Sequence, residues 1–108
     1  GRSLHKIPGK DAVSFIDKNN EDWLIKAYYP ESKSFETLAN TLPEVEDMVW
    51  LNSTTIVMGK GSELYYYDLT KETEKKWQLI SDLSEYQLDD ITRLAYHDGK
   101  LAVVVSGK

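Results

Sequence analysis

The chain has 108 residues, 13 basic and 18 acidic side chains, a formal net charge of −5 and no cysteine. That length suits one core of ordinary size, and the acidic balance argues against a duplex nucleic-acid surface, which needs clustered Lys and Arg. Without cysteine there is no disulfide framework or thiolate metal site, and no stretch nears the ~20 apolar residues of a membrane-spanning helix. Apolar residues nowhere keep helical spacing beyond two turns; short alternating runs dominate, the pattern of half-buried strands.

In chain order the expected strands are residues 11–16, 23–29, 35–38, 45–51, 54–58, 63–69, 77–80, 91–96 and 101–105. Residues 4–8 make a poor strand, and helix is expected only as short turns near 84–88 or at Glu44. Between the runs lie Lys18-Asn19-Asn20, Leu51-Asn52-Ser53, Gly59-Lys60-Gly61-Ser62 and His97-Asp98-Gly99-Lys100. Their Gly, Asn, Asp and Ser residues accept the φ > 0 conformations of tight hairpins, so the chain reads as an antiparallel meander.

The runs also repeat. Phe35-Glu36-Thr37-Leu38 aligns with Trp77-Gln78-Leu79-Ile80, and Met48-Val49-Trp50 aligns with Leu94-Ala95-Tyr96. A period of about 40–46 residues with four strands per unit is the spacing of β-propeller blades. The expected fold is therefore all-β: one propeller fragment over residues 1–108, with blades near 4–42 and 45–83 and a partial blade at 89–108. That makes about two and a half four-stranded antiparallel blades of an incomplete propeller.

Candidate chemical sites fare less well. Gly59-Lys60-Gly61-Ser62 looks like a phosphate loop, but such loops lead into a helix N-terminus and this one leads into Glu63-Leu64-Tyr65-Tyr66-Tyr67. His5 and His97 are too few for a histidine metal site, and His97 falls in an expected surface turn. No serine sits in a G-x-S-x-G elbow. Asp89-Asp90, with Asp82 and Glu85 nearby, form an acidic loop without the Asp-x-Asp-x-Asp-Gly pattern of a calcium site. Its simpler role is to cap the connection between blades, with Arg93 as ion-pair partner of Asp90. Tyr28-Tyr29 and Tyr65-Tyr66-Tyr67 offer stacking surfaces, yet alternate strand residues face opposite sides, which favours packing. The run Lys71-Glu72-Thr73-Glu74-Lys75-Lys76 reads as a solvated outer loop. No catalytic, cofactor-binding or metal residues are assigned.

A resemblance adds to this. Val45-Glu46-Asp47-Met48-Val49-Trp50, Thr55-Ile56-Val57-Met58-Gly59-Lys60-Gly61-Ser62-Glu63-Leu64-Tyr65, Trp77-Gln78-Leu79-Ile80-Ser81-Asp82-Leu83 and the run from Ile91 to Val104 resemble the C-terminal blades of bacterial TolB-like six-bladed propellers, whose repeats are WD-like. Tyr96-His97-Asp98-Gly99 stands where that family habitually has Ser-Pro-Asp-Gly, and Leu51-Asn52-Ser53 where it has Pro-Asp-Gly. The resemblance implies a non-catalytic ligand- or protein-binding scaffold, often exported, hence a periplasmic or extracellular site. The alternative is an accessory propeller of a larger hydrolase or peptidase.

A closed ring needs at least about four blades, so the chain is expected to be a fragment whose partners are the remaining blades of a longer parent. Failing those, self-association is expected at the first blade's face or the apolar edge Leu101-Ala102-Val103-Val104-Val105. Trp50, Trp77, Val57 and Val103 are expected to be largely buried. Val57→Asp should then place an unpaired charge in the core and lower stability by several kcal/mol; unchanged thermal unfolding of that variant would refute the inside-outside assignment.

Overall fold

The computed structural model describes residues 4–19, 22–43, 45, 47–71, 77–86, 91–97 and 99–105. The strands are β1 (His5–Lys6), β2 (Val13–Asn19), β3 (Asp22–Tyr29), β4 (Ser34–Asn40), β5 (Met48–Trp50), β6 (Thr55–Lys60), β7 (Glu63–Asp68), β8 (Gln78–Asp82), β9 (Ile91–His97) and β10 (Lys100–Val105). The one helical piece among the described residues is a 3₁₀ turn at Leu83–Tyr86, in the region where a short turn is expected. Strands β1 to β4 and β5 to β8 form two four-stranded meanders, and β9 with β10 forms a hairpin. Every pairing is antiparallel. The architecture is thus all-β, with antiparallel four-stranded sheets in a propeller-like arrangement and no closed barrel among the described residues.

Local chemistry sets the turns. Lys60 lies opposite Glu63, so only Gly61 and Ser62 form that turn. Gly61 has φ 61° at the first central position, as a type II′ hairpin requires. Gly59 and Lys60 therefore belong to β6, not to the turn. Asn52 Oδ1 accepts the Thr54 N–H at 2.9 Å, and Asp68 Oδ1 accepts the Thr70 N–H at 2.9 Å. Each side chain stands in for a backbone turn bond.

Some expectations are corrected. Residues 4–8 do contain a strand: β1 pairs His5 with Ser14 and Lys6 with Val13. Two paired residues, one of them an exposed lysine, leave no alternation to read. β5 covers only the last part of the expected 45–51 run, Val45 bonding back to Leu42 before it. Trp50 and Val57 are buried, at 5 % and 0 % exposure, whereas Trp77 and Val103 are half-buried. Trp77 sits just outside β8, its ring edge-on to Tyr67 with centroids 5.4 Å apart. Val103 lies in a hairpin whose other side carries no sheet among the described residues. The expected caps Asp89 and Asp90, Glu44 and residues 72–76 of the outer loop lie outside the described residues.

Each sheet has an upstream face, toward the sheet before it in the chain, and a downstream face, toward the sheet after it. Ser14, Ile25, Ala27 and Ala39 line the first sheet's downstream face, and Met48, Trp50, Ile56 and Met58 of the second sheet pack against it. Val57 and Leu64 on the second sheet's other side meet Leu94, Ile91, Leu101 and Val103 of the hairpin. Burial of these apolar side chains, each contributing about 1.5–3 kcal/mol, drives the stacking.

Hydrogen bonds fix its register. Trp77 Nε1–H donates to the Asn40 carbonyl at 2.8 Å, and the Leu94 N–H donates to Asp47 Oδ2 at 2.6 Å. A Cβ placed on Gly59 falls 2.8 Å from Ile91 Cγ2, so the hairpin's approach depends on a missing side chain. Gly59→Ala should destabilise by about 1–3 kcal/mol through overpacking. Ile91→Ala introduced beside it should recover part of that loss in chemical denaturation, and equal loss in both variants would show that Gly59 matters for another reason.

Candidate functional site

The first strands of the three sheets, β1, β5 and β9, each begin a unit, and their ends meet. There a recess of about 470 Å³ is lined by Leu4, His5, Lys6 and Pro8 from the first sheet, Val49, Trp50 and Leu51 from the second, and Tyr96 from the hairpin. It is largely open to solvent and mixed in character. Tyr96 is 37 % exposed and Leu4 65 % exposed, so an apolar rim reaches water. Nε2 of His5 is buried and has no hydrogen-bond partner among the described residues. An unpaired buried nitrogen costs about 1–3 kcal/mol, and such a group beside a recess is what a ligand donor or acceptor would satisfy.

The floor is held by a short relay. Trp50 Nε1–H donates to Ser14 Oγ at 2.8 Å, and the Ser14 hydroxyl donates to the His5 carbonyl at 3.2 Å. Ser14 is fully buried, so neither group has water as an alternative. The relay joins β5, β2 and β1, and so positions His5 and Trp50 relative to each other. Lys6 is tied to its own loop, its ammonium donating to the Lys10 carbonyl.

Other polar groups serve the frame. Hydrogen bonds from the Ser84 N–H and the Ser62 hydroxyl hold Asp82 below the usual carboxylate range. Its carboxylate closes the start of the 3₁₀ turn. Tyr65 donates to Glu63 Oε1 at 2.8 Å and Tyr29 to Glu36 Oε1 at 2.6 Å, and these bonds raise both phenol pKa values. Burial raises that of Tyr67. Tyr65, Tyr66 and Tyr67 alternate half-buried, exposed and buried, as residues along one strand must.

The glycine turn at Gly61 joins two strands and offers no helix N-terminus. His97 is exposed at the end of β9. Among the described residues no three His, Asp or Glu side chains cluster closely enough to hold a metal ion. A second, shallower recess of about 460 Å³ lies between Lys10, Asp11, Tyr29, Glu31 and Ser32, drawn from one sheet alone.

Comparison with family models, with curated proteins and with solved structures brings no match.

By residue type alone His5 reads as a possible metal ligand or general base and Trp50 as core, and nothing in that reading brings them together with Tyr96. The signal is present in the repeat: Trp50 and Tyr96 close the aligned triplets Met48-Val49-Trp50 and Leu94-Ala95-Tyr96, and Leu4-His5-Lys6 lies one period earlier. Trp50→Phe should cost about 1–3 kcal/mol by removing the donor to a buried hydroxyl. Ser14→Ala should cost a similar amount, and the double variant little more than either, as for one shared bond. Full additivity in urea unfolding would show that the indole and hydroxyl act separately.

Proposed function

We propose that this chain is a non-catalytic β-propeller scaffold that binds a small ligand or a protein segment at the recess formed by its first strands. One arrangement carries the proposal: His5, Trp50 and Tyr96, from three successive units, line a single recess. In a ring of four-stranded sheets the first strands surround the central channel, where a rigid frame presents side chains from several blades to one ligand. The likeness of the segment from Val45 onward to TolB-like blades supports the same reading, and with it a periplasmic or extracellular setting.

The lining suggests the ligand class. Trp50, Leu51, Val49 and Tyr96 favour an aromatic or aliphatic body, and the imidazole of His5 favours one polar group beside it. Short peptides carrying one aromatic residue and a free carboxylate are suitable probes. Their titration should change tryptophan emission saturably, and Tyr96→Ala should weaken binding about tenfold or more while leaving the circular dichroism spectrum intact. Binding that ignores both Tyr96→Ala and His5→Ala would remove the recess from consideration, and steady cleavage of the peptides would favour a hydrolytic role over a scaffold.

A further inference from the structure

The three strands that meet at the recess are all edge strands. β1 and β5 each stand at the edge of a four-stranded sheet, and β9 is paired on one side only, with β10. The edges of β5 and β9 are open although chain lies on both sides of them in sequence. Along an antiparallel strand, successive residues turn their main-chain N–H and C=O alternately toward the partner and away from it.

Hydrogen bonds at the strand ends settle which residues do which. The Ile7 N–H donates to the Ala12 carbonyl at 3.1 Å, and the Leu51 N–H to the Thr55 carbonyl at 3.0 Å. Ile7 and Leu51 therefore face β2 and β6, and the residues before them, Lys6 and Trp50, turn their main-chain groups to the open edge. On β9 the Leu94 N–H points away from β10 and donates to Asp47 Oδ2 at 2.6 Å. Tyr96, two residues on, shares its direction.

Lys6, Trp50 and Tyr96 all line the recess. It thus collects an outward-facing donor and acceptor pair from each of three units, and none of these pairs has a main-chain partner among the described residues. The same geometry explains why unbroken runs, residues 4–6 and 49–51, line it. A recess over a sheet face would be lined by every second residue, whereas one along an edge meets them all. Leu94 shows what such an edge takes up, since its N–H draws an acceptor from another segment.

We infer that the occupant of the recess is an extended peptide segment recognised through its main chain. Successive amides of an extended segment point to opposite sides, so one segment can meet two of these edges at once. Affinity then comes from groups common to every peptide, and the Trp50 and Tyr96 side chains add a preference for an aromatic or aliphatic neighbour. The inference rests on the reading of the recess as a binding site and adds how its ligand is held.

Replacing peptide amides by esters, one linkage at a time, tests it on the unaltered chain. The probe is a short peptide with one aromatic residue and a free carboxylate, followed by tryptophan emission. An ester keeps every side chain and removes one N–H, and at the central linkages it should weaken binding about tenfold. Saturation with the parent peptide should slow hydrogen exchange at the Trp50 and Tyr96 amides at least tenfold. Tyr96→Ala and Tyr96→Pro both lack the phenol, but only proline also removes the outward N–H, at an edge position where no ladder bond is lost. Tyr96→Pro should therefore bind about fivefold or more weakly than Tyr96→Ala. If Tyr96→Pro loses its strand spectrum, the ester series and the exchange measurement decide. Ester peptides that bind as tightly as the parent, or edge amides whose exchange is unchanged, would overturn the inference and leave a recess read by side chains alone. A parent peptide that does not bind would overturn both the inference and the reading it rests on.

Discussion

Apolar burial drives the first two sheets together, and one buried hydrogen bond, from the Trp50 indole to the Ser14 hydroxyl, fixes where they meet. A tryptophan in an interior must find a partner for its N–H, and within reach of Trp50 that partner is the hydroxyl of a fully buried serine. The constraint runs both ways. Ser14 must be small for the indole to lie over it, and polar to accept its proton. Its own proton then goes to the His5 carbonyl, which holds β1 against β2 although β1 has only two paired residues. Through this relay a packing decision between sheets becomes a decision about where the recess-lining residues stand.

The second joint is built differently. The Gly61-Ser62 turn receives the Leu83 N–H on the Ser62 carbonyl at 2.7 Å and the Ile91 N–H on the Gly61 carbonyl at 2.6 Å. The same turn's hydroxyl binds Asp82 at 2.7 Å. The chain leaving β8 and the chain entering β9 are thus both anchored to one hairpin turn. Ile91 is then delivered over Gly59, two residues before the turn. A polar clamp sets the position and an absent side chain sets the distance. The tight turn at Gly61 and the close approach at Gly59 are two separate uses of glycine two residues apart in sequence.

Much of this was legible in the residues. Strand alternation and turn chemistry are local, so β2 to β4 and β6 to β10 could be read from runs such as Thr55-Ile56-Val57-Met58 and from Gly61. The repeat set the order of the sheets. What could not be read depends on partners distant in sequence. Nothing about Gly59 distinguishes a turn glycine from a packing glycine until Ile91, thirty-two residues later, is placed upon it. β1 is held by Ser14 and not by its own pattern. Trp77 and Phe35 align in the repeat, yet one is half-buried against Tyr67 and the other is largely exposed. Their difference is positional, since the first sheet has no described sheet upstream of it. The recess was hidden for a related reason: its residues are ordinary singly, and only the convergence of three strand ends makes them a site.

The recess follows from the stacking of successive sheets. A binding recess at the strand ends needs the relative positions of successive sheets to be fixed, which the buried relay and the Asp47, Asn40 and Ser62 bonds accomplish. Trp50 faces the first sheet's core and lines the recess at once, so its loss would disturb stacking and binding together. Tyr96 and His5 report on the recess.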